Sequence, residues 1–240
     1  MASPVEQFKI QPLIPLEVGG VNLSFTNSAL FMVVSICLVT AFLTLSVRGR
    51  ALVPGRWQSL AEVFYEFVAN MIRDNVGAEG RKYFPFIFSL FMFVLCGNLL
   101  GMIPYTFTYT SHIIVTFGLA IVVFVGVTII GFARHGFHYL RMFFPHGAPL
   151  PTALILVPIE LISYCSRPFS LAIRLFANMT VGHIILKVMG GFVVALGIFG
   201  VLPMSFLGAV TVLEFGIAVL QAYIFTILSC IYLHDAIHMH

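Results

Sequence analysis

Hydrophobic positions along the chain fall into long unbroken runs, with polar residues gathered between them. A helix needs about 20 apolar residues to cross the hydrocarbon core of a bilayer. The runs at 24–47, 84–104 and 113–132 have that length. Two further runs, 152–188 and 204–233, are longer and are joined by a glycine-rich, still apolar connector. At 1.5 Å per residue the fourth run would reach roughly 54 Å against a core of about 30 Å. It must therefore tilt strongly, bend, or run partly in the membrane plane, and Pro158 and Pro168 offer places to bend. The stretch 57–75 has another rhythm. Glu62, Glu66, Arg73 and Asp74 fall on one side of a helix, and Leu60, Val63, Phe64, Phe67 and Met71 on the other. This predicts an amphipathic helix on the membrane surface or docked against a partner. The whole pattern predicts an all-α membrane protein with residues 1–240 as one membrane domain. It has about five transmembrane helices plus one amphipathic surface helix, the last two spans being long and strongly tilted.

Composition sharpens this picture. The chain is 60% hydrophobic and only 9% charged, whereas a soluble domain carries about 25% charged residues. Lipid is thus the expected solvent for most of the chain. The net charge of +3 comes without a basic stripe interleaved with aromatics, which excludes nucleic acid as an expected partner. Cys37, Cys96, Cys165 and Cys230 each sit in an apolar run with no metal-ligand or redox spacing, so they read as small buried hydrophobes. No cofactor is expected. A haem-bearing subunit would need facing histidines inside the spans. His112, His135, His138 and His146 lie at span ends or in loops, and only His183 is internal. The tail residues His234, His238 and His240 read as a solvated polar end.

The first 20 residues lack the basic start and apolar core of a signal peptide, so the first span is expected to carry the targeting information. Arg48, Arg50, Arg56, Arg73, Arg81, Lys82, Arg134 and Arg141 all fall in loops on one side. Pro145, Pro149 and Pro151 close the last of these loops. The opposite side carries Lys9, with Lys187 at a helix end. The excess of basic residues marks the cytoplasmic side. The N-terminus is then outside and the His234-Asp235 tail cytoplasmic.

Ionisable groups inside a spanning segment are costly, and each calls for an explanation. The fourth run holds Glu160, Arg167, Arg174, Asn178, His183 and Lys187; the fifth holds Glu214 and Gln221, with Asp235 near its end. Spacings of seven put Glu160, Arg167 and Arg174 on one helix face, and Asn178 joins it four residues on. With the two helices antiparallel and Arg174 level with Gln221, His183 lies about 13 Å outward and Glu214 about 10 Å outward. Glu160 and Asp235 fall level at the other end. This reads as two polar routes separated by a fixed, buried positive charge, with His183 and Glu214 exchanging protons on the outer side and Glu160, Asn178 and Asp235 lining the inner side. Arginine suits the centre because it does not deprotonate and so cannot relay a proton. Arg167 beside Pro168 reads as a helix-end anchor, with Glu160 its candidate ion-pair partner.

The same residues carry a family resemblance. The segment Ser166 to Met179, containing Arg174 and Asn178, resembles the signature of subunit a of the rotary F-type ATP synthase. Leu220 to Phe225, around Gln221, and Asn98 to Tyr105 resemble two further signatures. The resemblance implies a proton-translocating stator subunit of the Fo sector, with two half-channels separated by Arg174. It implies that Arg174 faces a ring of c subunits, each with a membrane-embedded carboxylate, and that b-type peripheral stalk subunits and the lipid bilayer are the other partners. The proton path it implies comprises Arg174, His183, Glu214, Gln221, Asn178 and Glu160. Such a chain is not itself an enzyme; ATP synthesis belongs to the soluble head. In many bacterial members the positions of His183 and Glu214 carry a glutamate and a histidine respectively. The exchanged pair here is similar to mitochondrial members and points to the inner membrane of a bacterium from that lineage, with the mitochondrial inner membrane as the alternative. A proton-coupled secondary transporter is the competing reading, and it would need a solute site at broken helices in corresponding halves.

Overall fold

The computed structural model describes residues 9–15, 17–18, 21–22, 24–48, 54–103, 106–143 and 150–238. Arg50, Pro104, Tyr105, Pro145, His146, Pro149 and His240 lie outside these residues. Six α-helices dominate: α1 Asn27–Val47, α2 Arg56–Asn75, α3 Phe84–Gly101, α4 Ile113–His135, α5 Leu150–Leu196 and α6 Val201–Ile237. Ahead of α1, strand β1 (Pro12–Ile14) pairs antiparallel with β4 (Phe25–Thr26), and between them β2 (Glu17–Val18) pairs with β3 (Val21–Asn22). The Asn27 amide side chain ties this entrance to α1, donating to the Lys9 carbonyl at 3.2 Å and accepting from the Gln11 amide at 3.2 Å. Thr26 caps α1 by accepting from the Ala29 amide.

Among the described residues, five helical segments are long and apolar enough to cross a membrane: Asn27–Val47, Ala78–Gly101, Ile113–Leu140, Ile155–Leu196 and Val201–Ile237. The chain is a multi-pass, all-α membrane protein. Helix α6 is the hub and packs against α2, α3, α4 and α5, while α1 lies outside against α2 and α3. The packed face of α6 is lined by small or polar residues such as Ala218, Ala222, Thr226 and Ser229, all fully buried. Small residues let helix backbones approach closely, which is how helices associate where lipid offers no hydrophobic drive between them.

Two expectations are corrected by this packing. Helix α5 does not stop near residue 188 but runs to Leu196, and the expected connector shrinks to the turn Gly197–Gly200. Gly197 has φ +54°, a left-handed conformation that glycine adopts without a side-chain clash, and there the chain reverses into α6. The glycines before it, Gly190 and Gly191, continue the helix because apolar surroundings leave a backbone no better way to satisfy its hydrogen bonds. The second correction concerns α2. Its buried stripe is Ala61, Val68, Met71 and Ile72, so the packed face is rotated from the expected one, and Leu60 and Val63 stay exposed. Phe67 leans on Phe91 and Tyr223, with ring centroids 5.6 and 5.8 Å away. Contact with α3 and α6 on one flank decides the rotation, which the apolar stripe of an isolated helix cannot reveal.

Candidate functional site

Helices α5 and α6 run antiparallel, and their polar residues meet along one seam. Near the end with the α5–α6 turn, His183 Nδ1 stands 3.6 Å from Glu214 Oε1. That separation is an ion-pair distance, too long for a hydrogen bond. Glu214 is 3% exposed, and neither carboxylate oxygen accepts a hydrogen bond from the described residues. Its approach to α5 depends on Gly182, where a Cβ would meet Glu214 Oε1 at 2.5 Å. The other imidazole nitrogen, Nε2, lies 3.1 Å from the Thr108 hydroxyl, which in turn is 3.3 Å from the Gly101 carbonyl.

Thr108 can therefore serve both tautomers of His183. When Nδ1–H faces an ionised Glu214, Nε2 accepts from the Thr108 hydroxyl. When Nδ1 is bare and faces a protonated Glu214, Nε2–H donates to Thr108, whose own proton turns to Gly101. A hydroxyl donates and accepts in the same site, so no partner is stranded by the exchange.

In the middle of the seam Asn178 Nδ2 donates to Gln221 Oε1 at 2.8 Å, and Gln221 is wholly buried. Asn98 of α3, also wholly buried, donates from Nδ2 to the Ala218 carbonyl at 3.0 Å and pins α3 beside this point. Asn178 lies on the exposed face of α5. Its bond to Gln221 thus links the interior of the bundle to that open face. Arg174 stands one turn earlier on α5 and is exposed, against the expectation of a buried arginine. The rows of buried residues on α5, Leu171, Ala172, Leu175 and Met179, face the bundle and leave Arg174 pointing away from it. Ser166, Ser170, Arg174 and Asn178 recur every four residues on the exposed side, a polar ladder along the helix.

At the opposite end Arg167 pairs with Asp235 at 2.9 Å. Its guanidinium lies 5.4 Å from the Tyr164 ring centroid and 5.1 Å from that of Tyr232. The Tyr164 hydroxyl is hydrogen-bonded to Thr128 at 2.7 Å and to the Tyr139 hydroxyl at 3.1 Å, both beyond α5. Glu160 is exposed two turns further along α5. Arg167 pairs with Asp235 and not with its candidate partner Glu160, because Arg167 turns inward to α6 while Glu160 faces out.

The register is also corrected. Asn178, not Arg174, lies level with Gln221, one helical turn from the expected alignment. This shift brings Asp235 to Arg167 in place of Glu160. The expected His183–Glu214 proximity survives it, since a histidine and a glutamate can bridge a few ångströms of offset. Thr108, Asn98 and Gly182 escaped the sequence reading as site residues. Thr108 lies in a turn with no periodicity to betray it; Gly182, next to His183 on a helix, was the available clue to a close approach.

A bundle of spanning helices whose two longest members share a file of ionisable and amide side chains defines a class: multi-pass helical proteins with a polar path inside the membrane-spanning part. Residues 29–234 match the family model described as ATP synthase A chain. A relative from Paramagnetospirillum magneticum, ATP synthase subunit a, is 79% identical over the full length of both chains. The protein of that name from Rhodospirillum rubrum is 66% identical, again over the full length of both. That from Parvibaculum lavamentivorans is 55% identical, covering 98% of this chain and 93% of its own. This chain belongs to the ATP synthase A chain family.

Proposed function

We propose that the chain is the proton-translocating stator subunit of the Fo sector of an F-type ATP synthase. Arg174 is the barrier between two half-channels. His183 and Glu214, with Gln221, form the route on one side of it, and Glu160 lines the route on the other; Asn178, expected beside Glu160, joins the first route instead, since it bonds Gln221 on the His183 side of Arg174. The observation that carries this reading is the polar file from His183 and Glu214 to Gln221 and Asn178, which ends beside an arginine on an open face.

An unneutralised arginine on a membrane-depth surface is costly, so its face fits a partner that brings a carboxylate. The proposed partner is a ring of c subunits, each with a membrane-embedded carboxylate. As the ring turns, Arg174 holds the passing carboxylate ionised until it reaches a route from which it takes a proton. Because the guanidinium keeps its proton, no proton passes directly from one route to the other. The subunit performs no covalent chemistry. It converts the potential difference, worth about 2.3 kcal/mol per charge per 100 mV, into torque on the ring. The exposed flank of α2, with Trp57, Leu60 and Val63, fits b-type stalk partners. The basic loops favour a cytoplasmic C-terminus, an outside N-terminus and a bacterial inner membrane. Helices α5 and α6, at 47 and 37 residues, are long enough to lie steeply tilted along the ring. A secondary transporter would need a solute site between halves, and the file described here is made by two successive helices instead.

Inverted membrane vesicles carrying wild type or Arg174→Ala test the proposal, with assembly checked by co-purification. ATP-driven proton pumping should vanish in the assembled variant. Normal pumping by the assembled variant would make Arg174 a surface residue without a role in transport.

A further inference from the structure

The turn between α3 and α4 lies at the same end of the bundle as His183 and Glu214, and it is unusually rich in buried polar atoms. Residues 106–112 read Thr-Phe-Thr-Tyr-Thr-Ser-His. Thr108 touches His183. Ser111 donates to the Thr108 carbonyl at 2.6 Å, and its own carbonyl accepts from Thr180, three residues before His183 on α5, at 3.2 Å. The turn is thereby bonded to α5 at the histidine itself and at Thr180, about one helical turn before it. Two further polar atoms in it, the Thr110 hydroxyl and Nε2 of His112, are buried without a hydrogen-bond partner among the described residues.

Buried polar groups with no protein partner are where water binds. The Glu214 carboxylate oxygens, beside His183, are in the same condition. The His112 ring stacks on Phe107, centroids 5.0 Å apart, so it is held in one orientation. Its Nε2 is turned inward although the residue stands at the very start of α4, where a side chain could reach solvent.

We infer that His112 is a further proton-handling residue, the outermost member of the His183–Glu214 route. Water at Thr110 and Thr108 connects it to His183. An imidazole takes a proton on one ring nitrogen and gives one from the other. Only N–H and O–H bonds form and break along the path, and each site returns to its starting charge. Burial lowers the affinity of His112 for a proton below the ordinary histidine value.

The inference rests on the proton-translocation reading, and one set of vesicles separates the two. Pumping is measured in assembled holoenzyme carrying His112→Gln, His112→Glu, Arg174→Ala or none of these. Gln and Glu have nearly the same shape, and only Glu can accept and release a proton. His112→Gln should slow pumping by about tenfold or more, and His112→Glu should restore at least half of the wild-type rate. Equal rates for Gln and wild type, or a Glu variant no better than Gln, would make His112 a packing residue and overturn the inference. Failure of both variants to assemble would do the same. If Arg174→Ala abolishes pumping while His112→Gln does not, the inference alone fails. If Arg174→Ala pumps normally, the underlying reading fails.

Discussion

Glu214 is the residue whose surroundings are most demanding. A carboxylate inside a membrane bundle needs either a charge partner or hydrogen bonds, and the described protein offers it only an imidazole at 3.6 Å. Its position is set by absence of bulk on the facing helix, at Gly182. Gly182→Ala would force the carboxylate or the helix to move by more than a few tenths of an ångström. A displacement approaching 1 Å is enough to disrupt proton transfer. ATP-driven pumping in the assembled variant is therefore expected to fall by about tenfold or more, with ATP hydrolysis by the detached soluble head unchanged. Wild-type pumping would mean that Glu214 has room to retreat. Thr108 belongs to the same scale. Its hydroxyl lets His183 change tautomer without stranding a proton, a task valine of equal volume could not perform.

At the scale of elements, α5 and α6 are held together by one clamp at each end of the seam and the Asn178–Gln221 hydrogen bond between them. The clamp at Arg167 joins three helices. The ion pair ties α5 to α6, the two tyrosine rings enclose the guanidinium, and the Tyr164 hydroxyl reaches Thr128 on α4. Arginine and aspartate are 25% and 35% exposed, so the ion pair by itself is worth no more than about 1 kcal/mol. Asp235→Asn should lower the thermal midpoint of the detergent-purified subunit by about 2–4 °C. Arg167→Lys should lower it further, because lysine loses both the forked geometry and the ring contacts. An unchanged midpoint in both variants would show that helix packing alone sets this register.

At the scale of the whole molecule, one exposed face of α5 mixes polar and apolar side chains. Along α5 the bundle-facing residues are buried, while Ile162, Phe169, Ile173 and Val181 stay exposed around the Ser166, Ser170, Arg174 and Asn178 ladder. A ring partner would cover this face and leave the α1 side open. Single cysteines at Phe169 and Ser170, in a background freed of the native cysteines, should react with a membrane-permeant thiol reagent in the isolated subunit and be protected in the assembled complex. A control cysteine at Ile36 on α1, itself exposed, should stay reactive in both. Protection at Ile36 and not at Phe169 would place the partner on the wrong face for the proposed mechanism.

Properties that depend on one residue's neighbours in sequence were legible without a structure. Hydrophobic run lengths marked five spans, because the thickness of a bilayer translates directly into residue count. Spacing placed Glu160, Arg174 and Asn178 on one helix face, while Arg167, expected on that face, turns inward to Asp235; the pairing of His183 with Glu214 in depth followed from rise per residue. Properties that depend on which faces meet were decided only by tertiary structure. The rotation of α2, the one-turn shift that sets Asn178 against Gln221, and the choice of Asp235 as the partner of Arg167 all arise from side chains on other helices. So does the outward aim of Arg174, since a helix wheel shows that a residue has a face but not what that face meets. Thr108 and His112 were beyond reach for the same reason: a short turn has no period, and its chemistry appears only when the fold lays it against α5.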